Sequence, residues 1–182
     1  MPLSPPADRE PLHLRTVICC GYRRNDGLWD IEGHVMDVKE YDFNSQYYGP
    51  VHRGEPVHDM WIRLTVDDDL LIHAAEAAAD GHPFPTCPAI TPAFAKLEGL
   101  RIKPGWMREV QRVLGGTQGC THLVELLSPI ATTAFQTVFP SRERSQAAKE
   151  KRDRPSHLDT CHALASDGPV VEKLWPEFYT GE

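Results

Sequence analysis

The chain has 182 residues, 41% apolar and 25% charged, with a net charge of −7. These figures fit one ordinary globular domain with an appended segment and exclude disulfide-dense, collagen-like or wholly disordered chains. The acidic balance argues against a nucleic-acid partner, no stretch reaches the ~18 apolar residues of a membrane span, and five Cys without a secretory N-terminal pattern predict a reduced, cytoplasmic setting.

Residues 1–11 hold four prolines and read as an extended N-terminal arm. From Leu12 the pattern has period two, with Leu12, Leu14, Thr16 and Ile18 on one face and His13, Arg15, Val17 and Cys19 on the other. Arg24-Asn25-Asp26-Gly27 then supplies residues that tolerate a positive φ. Trp29, Ile31, Gly33 and Val35 alternate with Asp30, Glu32, His34 and Met36 beyond it, which predicts a hairpin whose second strand ends near Tyr41. Asn44 to Pro56 reads as a long loop. Met60 to Val66 and Leu71 to Ala79 predict a second hairpin, turned by Asp67-Asp68-Asp69.

Three helices are predicted next: Pro92 to Gly99, Pro104 to Leu114, and a long one from near Thr117 that carries Leu123, Leu126, Leu127, Ile130, Ala134 and Val138. Pro129 should kink or break the last. Strands first and helices afterwards give an α+β core over residues 12–140, an antiparallel sheet of two hairpins covered by helices. Residues 141–157 form a charged linker, and residues 158–182 an apolar segment expected to pack on the core or on the partner of a homodimer.

The candidate metal ligands are His58, Asp59, Cys87, Cys120 and His122. Each lies at an element end, so a sheet covered by helices brings them to one rim. Cys120 stands at a helix start, where unpaired N–H groups and the helix dipole favour a thiolate. Thiolate, imidazole and carboxylate together suit zinc or iron. Cys19 and Cys20 are adjacent on one strand and face opposite ways, so they read as packing residues. A second constellation, Trp29, Asp30, Glu32, His34 and Asp37, occupies one hairpin; Asp30, Glu32 and His34 share a face there, and carboxylates beside an imidazole can serve as general acid and base. His157, Cys161 and His162 form a third group, with helical spacing between His157 and Cys161.

Residues 58–136 resemble the iron–sulfur scaffold fold of the IscU and NifU N-terminal type, carried by His58-Asp59-Met60, Thr86-Cys87-Pro88-Ala89-Ile90 and Gly119-Cys120-Thr121-His122-Leu123. The resemblance implies Asp59, Cys87 and Cys120 as ligands. Val57 stands where that family has its first Cys, and His122 follows Cys120 where the family's His precedes it. Through Gly27-Leu28-Trp29-Asp30-Ile31-Glu32-Gly33-His34 and the Cys120 motif the whole chain is also similar to a bacterial domain family of unknown function.

Three functions follow. The first is a metal-binding protein, with zinc or iron polarising a small-molecule substrate or activating water. The second is a metal-free lyase or hydrolase of an aromatic or acyl substrate, with His34 moving protons and Trp29, Tyr41, Tyr47, Tyr48 and Trp61 lining the pocket. The third is a non-catalytic accessory protein. The chain has neither a Gly-rich phosphate loop nor a Ser in a nucleophile elbow.

Overall fold

The computed structural model describes residues 3–147, 154–155 and 157–181. It divides into two units, Met1–Pro140 and Ser141–Glu182.

Four strands of the first unit form one antiparallel sheet in which they neighbour one another in chain order. They are β1 (His13–Arg23), β2 (Trp29–Lys39), β5 (Pro56–Val66) and β6 (Ile72–Gly81). Each predicted hairpin is present. The first turns at Gly27, whose φ of 89° suits a residue without a side chain, while the Arg24 amide donates to the Leu28 carbonyl at 2.9 Å. In the second turn the Asp67 carboxylate accepts the backbone N–H groups of Asp69 and Leu71. That Asp-led turn lets Leu70 sit at a φ of 59° with its side chain buried.

The segment expected to be a loop holds a short second sheet, β3 (Phe43–Ser45) paired with β4 (Gly49–Val51). Three-residue strands are too short to show a period of two, so this pair escaped sequence reading.

One face of the main sheet is the core face. Trp29, Ile31 and Val35 from β2 and Met60, Ile62, Leu64 and Val66 from β5 are buried on it, as period-two strands with one covered face require. The other face carries Asp30, Glu32 and His34 opposite Thr65, Arg63 and Trp61.

A run of 3-10 turns, Cys87–Leu97, contributes Phe94 and Leu97 to the core. It replaces the predicted helix because Pro88 and Pro92 lack the N–H that an α-helical ladder needs. Helix α1 (Trp106–Leu114) buries Trp106, Val110 and Leu114, four residues apart. Helix α2 (Thr121–Ala147) continues through Pro129 and Pro140 and buries Leu123, Leu126, Leu127, Ile130, Ala134 and Val138. Its seat on the sheet is made by glycine. A Cβ on Gly33 would lie 2.5 Å from Ile130, and one on Gly21 would lie 2.0 Å from the Thr137 hydroxyl oxygen.

The expected linker begins as the end of α2, and residues 148–153 and 156 fall outside the described residues. In the second unit, helix α3 (Pro169–Leu174) is flanked by 3-10 turns at His162–Leu164 and Pro176–Phe178. Asp159, at a φ of 62°, accepts from the Ser166 amide and hydroxyl and from Arg154. No helix among the described residues is long and apolar enough to cross a membrane.

Candidate metal centre

Period two places Asp37 on the core face, in line with Trp29, Ile31, Gly33 and Val35. Its side chain is 1% exposed. His58, directly across on β5, shares that face, and the pairing shifts register just past Asp37, before Val38. A ligating atom from each of Asp37, His58 and His122 lies within 4.8 Å of the others. His122 comes from the first turn of α2, and its ring centroid is 3.7 Å from that of His58.

The Asp37 carboxylate is held from β1. Arg15 donates to both of its oxygens at 2.8 Å, and His13 Nε2 lies 3.1 Å from Oδ1. The same guanidinium donates to Glu125 on α2 at 2.8 Å, tying the helix to the strand. Burial alone would raise the Asp37 pKa. The hydrogen bonds and charge of Arg15 outweigh it and bring the carboxyl to about 2, so Asp37 is an anion at neutral pH.

Both imidazole pKa values are also lowered, which for a base favours the neutral form. Burial lowers the pKa of His58, and the neighbouring His122 lowers it further. Burial followed by the Arg15 charge lowers that of His122. Neutral rings keep a nitrogen lone pair free for a cation. Nδ1 of His58 is 3.0 Å from Oδ2 of Asp37, whose charge pulls against burial and favours a proton there, but this buried nitrogen makes no well-aligned hydrogen bond. Buried polar atoms left unsatisfied are uncommon and costly. A cation between the two would satisfy both.

Cys120 immediately precedes α2, and its carbonyl accepts the Val124 amide at 2.9 Å. Its Sγ lies 4.0 Å from Nδ1 of His122 and 4.0 Å from Sδ of Met60.

The structure thus brings His58 and His122 together, sets the Cys120 sulfur beside His122 but outside the clustered ligating atoms, and puts Asp59 and Cys87 elsewhere. Asp59 follows His58 on a strand and therefore points to the opposite face, where it meets Nε2 of His34 at 2.7 Å. Cys87 opens the 3-10 run, half-buried, and joins no ligand group among the described residues. Asp37, noted in the hairpin group, was missing from the expected metal ligands. Its signal was a carboxylate in a row of core-facing residues, Ile31, Gly33 and Val35, where a charge is costly unless paired.

On the open face His34 stacks on Trp61 at a centroid separation of 3.8 Å and an interplanar angle of 5°. The expected acid–base group is divided there. Glu32 is bound by Arg63 at 2.8 Å, and Asp30 accepts the Thr65 hydroxyl at 2.7 Å. Asp59 is what orients the His34 ring. The expected aromatic pocket is divided too: Trp29 is buried on the core face, while Tyr48 and Trp61 line separate clefts of about 370 and 300 Å³. In the second unit Cys161 and His162 are exposed and fall in turns, so His157 and Cys161 share no helix face.

A family model described as a protein of unknown function (DUF2889) matches residues 13–136, more than half of the chain. The chain belongs to this family. The DUF2889 match spans every strand of the main sheet, α1 and the first turns of α2, and so contains Asp37, His58, Cys120 and His122. No curated protein and no solved structure matches the chain. The likeness to the iron–sulfur scaffold finds no support, since its ligand set of Asp59, Cys87 and Cys120 is not assembled.

Proposed function

We propose that this DUF2889 chain holds one transition-metal ion at Asp37, His58 and His122. The observation that carries the reading is the buried Nδ1 of His58. It stands without a hydrogen-bond partner 3.0 Å from an ionised carboxylate and beside a second neutral imidazole. Two imidazoles and a carboxylate are the donor set that zinc and nonhaem iron take in metalloenzymes. Magnesium and calcium prefer oxygen donors, so the site selects against them. In a tetrahedral centre neighbouring N and O donors lie about 3.3 Å apart, so a cluster reaching 4.8 Å must contract modestly on the ion.

Arg15 and His13 act from behind the carboxylate, fixing its orientation as partners of ligating carboxylates do. Each Asp37 oxygen has a second lone-pair direction, so a hydrogen bond from Arg15 and coordination are compatible on Oδ2. Three protein ligands leave a fourth position on the ion, to be taken by water, a substrate or a further side chain.

The test is metal titration of the full-length protein with zinc and with cobalt, followed by elemental analysis after gel filtration. One ion per chain is expected, lost in Asp37→Asn, His58→Gln and His122→Gln and retained in Asp59→Asn and Cys87→Ser. Metal content that is negligible, or unmoved by the first three substitutions, overturns the reading.

A further inference from the structure

We propose that Cys120 is a fourth ligand of this centre, a thiolate that closes it around zinc; the inference rests on the metal reading above. Tetrahedral zinc, with Zn–S about 2.3 Å and Zn–N about 2.0 Å, holds its sulfur and nitrogen donors about 3.5 Å apart. The Cys120 sulfur already lies 4.0 Å from Nδ1 of His122. The sulfur stands outside the three ligating atoms that lie within 4.8 Å of one another, so closing the centre takes rotation of the Cys120 side chain toward Asp37 and His58 as well as the contraction described above.

Charge favours the same arrangement. Arg15 and Glu125 form a compensating pair at 2.8 Å, and both imidazoles are neutral. That leaves one negative charge, on Asp37, against the two positive charges of the ion. A bound water would leave a half-buried centre with a net positive charge, which burial opposes. A thiolate makes it neutral. When the metal–sulfur bond forms, the S–H bond breaks and its proton passes to solvent, with no change of oxidation state.

The position supports the sulfur as well. Cys120 is the residue whose carbonyl accepts the first bond of α2. It therefore stands at the helix N-terminus, where the unpaired N–H groups of the first turn favour negative charge nearby. Met60, 1% exposed, places its thioether 4.0 Å from Sγ. Cys120 itself packs against the hydrophobic core. The thiol thus lies among apolar and soft groups, surroundings that suit zinc over the harder ions. Four protein ligands leave no open position, which is the pattern of a structural centre. In this arrangement zinc pins the start of α2 to strands β2 and β5.

The test uses the full-length protein loaded with cobalt(II) as the probe. A near-ultraviolet sulfur-to-cobalt charge-transfer band and intense visible bands of tetrahedral cobalt are expected. The charge-transfer band should be retained in Cys87→Ser and lost in Cys120→Ser and Cys120→Ala, while cobalt still binds at Asp37, His58 and His122. Circular dichroism of the Cys120 variants checks that they fold. A second readout is alkylation of the wild-type protein followed by peptide mass analysis, in which zinc should protect Cys120. Cobalt bound without the charge-transfer band, or a band that survives loss of Cys120, overturns the thiolate and leaves the three-ligand site standing. Absence of any cobalt binding overturns both.

Discussion

Arg15 carries the electrostatics of the site on one side chain. It donates to both oxygens of Asp37 and to Glu125, and its own pKa is raised by the hydrogen bond to Asp37. Replacing it with leucine leaves a carboxylate that is 1% exposed with little compensation. Removing one partner of a buried pair typically costs about 3–5 kcal/mol; with His13 still beside Asp37, a loss of roughly 3 kcal/mol is expected in urea unfolding at pH 7.

The pH dependence of Arg15→Leu follows from the sign of the Asp37 shift. In the wild type the folded pKa, about 2, is below the ordinary 3.8, so this stabilisation is full above pH 4 and is lost as pH falls towards 2. In the variant burial acts unopposed, the carboxyl moves above its ordinary value, and acid destabilisation begins at a higher pH. His58 and His122 act in the same direction in both proteins. Their folded pKa values lie below 6.5, so acidification below that value protonates the unfolded chain first and stability declines. Unfolding at pH 7.5, 5.5 and 4 separates the two contributions, and equal midpoint shifts in wild type and variant would contradict the Asp37 assignment.

Helix α2 reaches the site because two strands lack side chains beneath it. Valine at Gly33 places atoms within 2.5 Å of Ile130 and 3.0 Å of Leu126. Overpacking of this kind costs about 1–3 kcal/mol, and lifting α2 also moves His122 away from Asp37 and His58. Gly33→Val should therefore lower both the unfolding midpoint and the affinity for zinc. Combined with Ile130→Ala it should be more stable than the sum of the single effects, a coupling readable in a double-mutant cycle. Strict additivity would show that the helix is not seated on Gly33.

The elements that sequence reading located are those with a long regular period. Strands β2 and β5 and helices α1 and α2 each bury residues at spacings of two, three or four, and such spacing is visible without coordinates. The three-residue strands β3 and β4 and the proline-interrupted 3-10 run have none. The site was half legible for a related reason. His58, Cys120 and His122 lie at element ends and drew attention by residue type. Asp37 is identified only by its parity along β2, and Asp59 is removed from the site by the same rule, because adjacent strand residues face apart.

At the scale of the molecule, the main hydrophobic cluster runs from Trp29 to Val138 within the first unit, while the second unit buries Leu158 and Val171. The family match, residues 13–136, ends inside the same boundary. A chain ending at Pro140 should therefore fold cooperatively and retain one metal ion. Far-ultraviolet circular dichroism during thermal unfolding, with zinc titration, tests this, and a broad transition or loss of the ion would show that residues 141–182 are required.

The two margins of the main sheet are unequal. At the start of β6 the amide of Ile72 donates to Leu100, and its carbonyl accepts from Gly99. β1 pairs with β2 alone among the described residues and presents Leu14, Ile18 and Tyr22, each about half exposed, along one side. Backbone groups along an uncovered margin are a template for further strands.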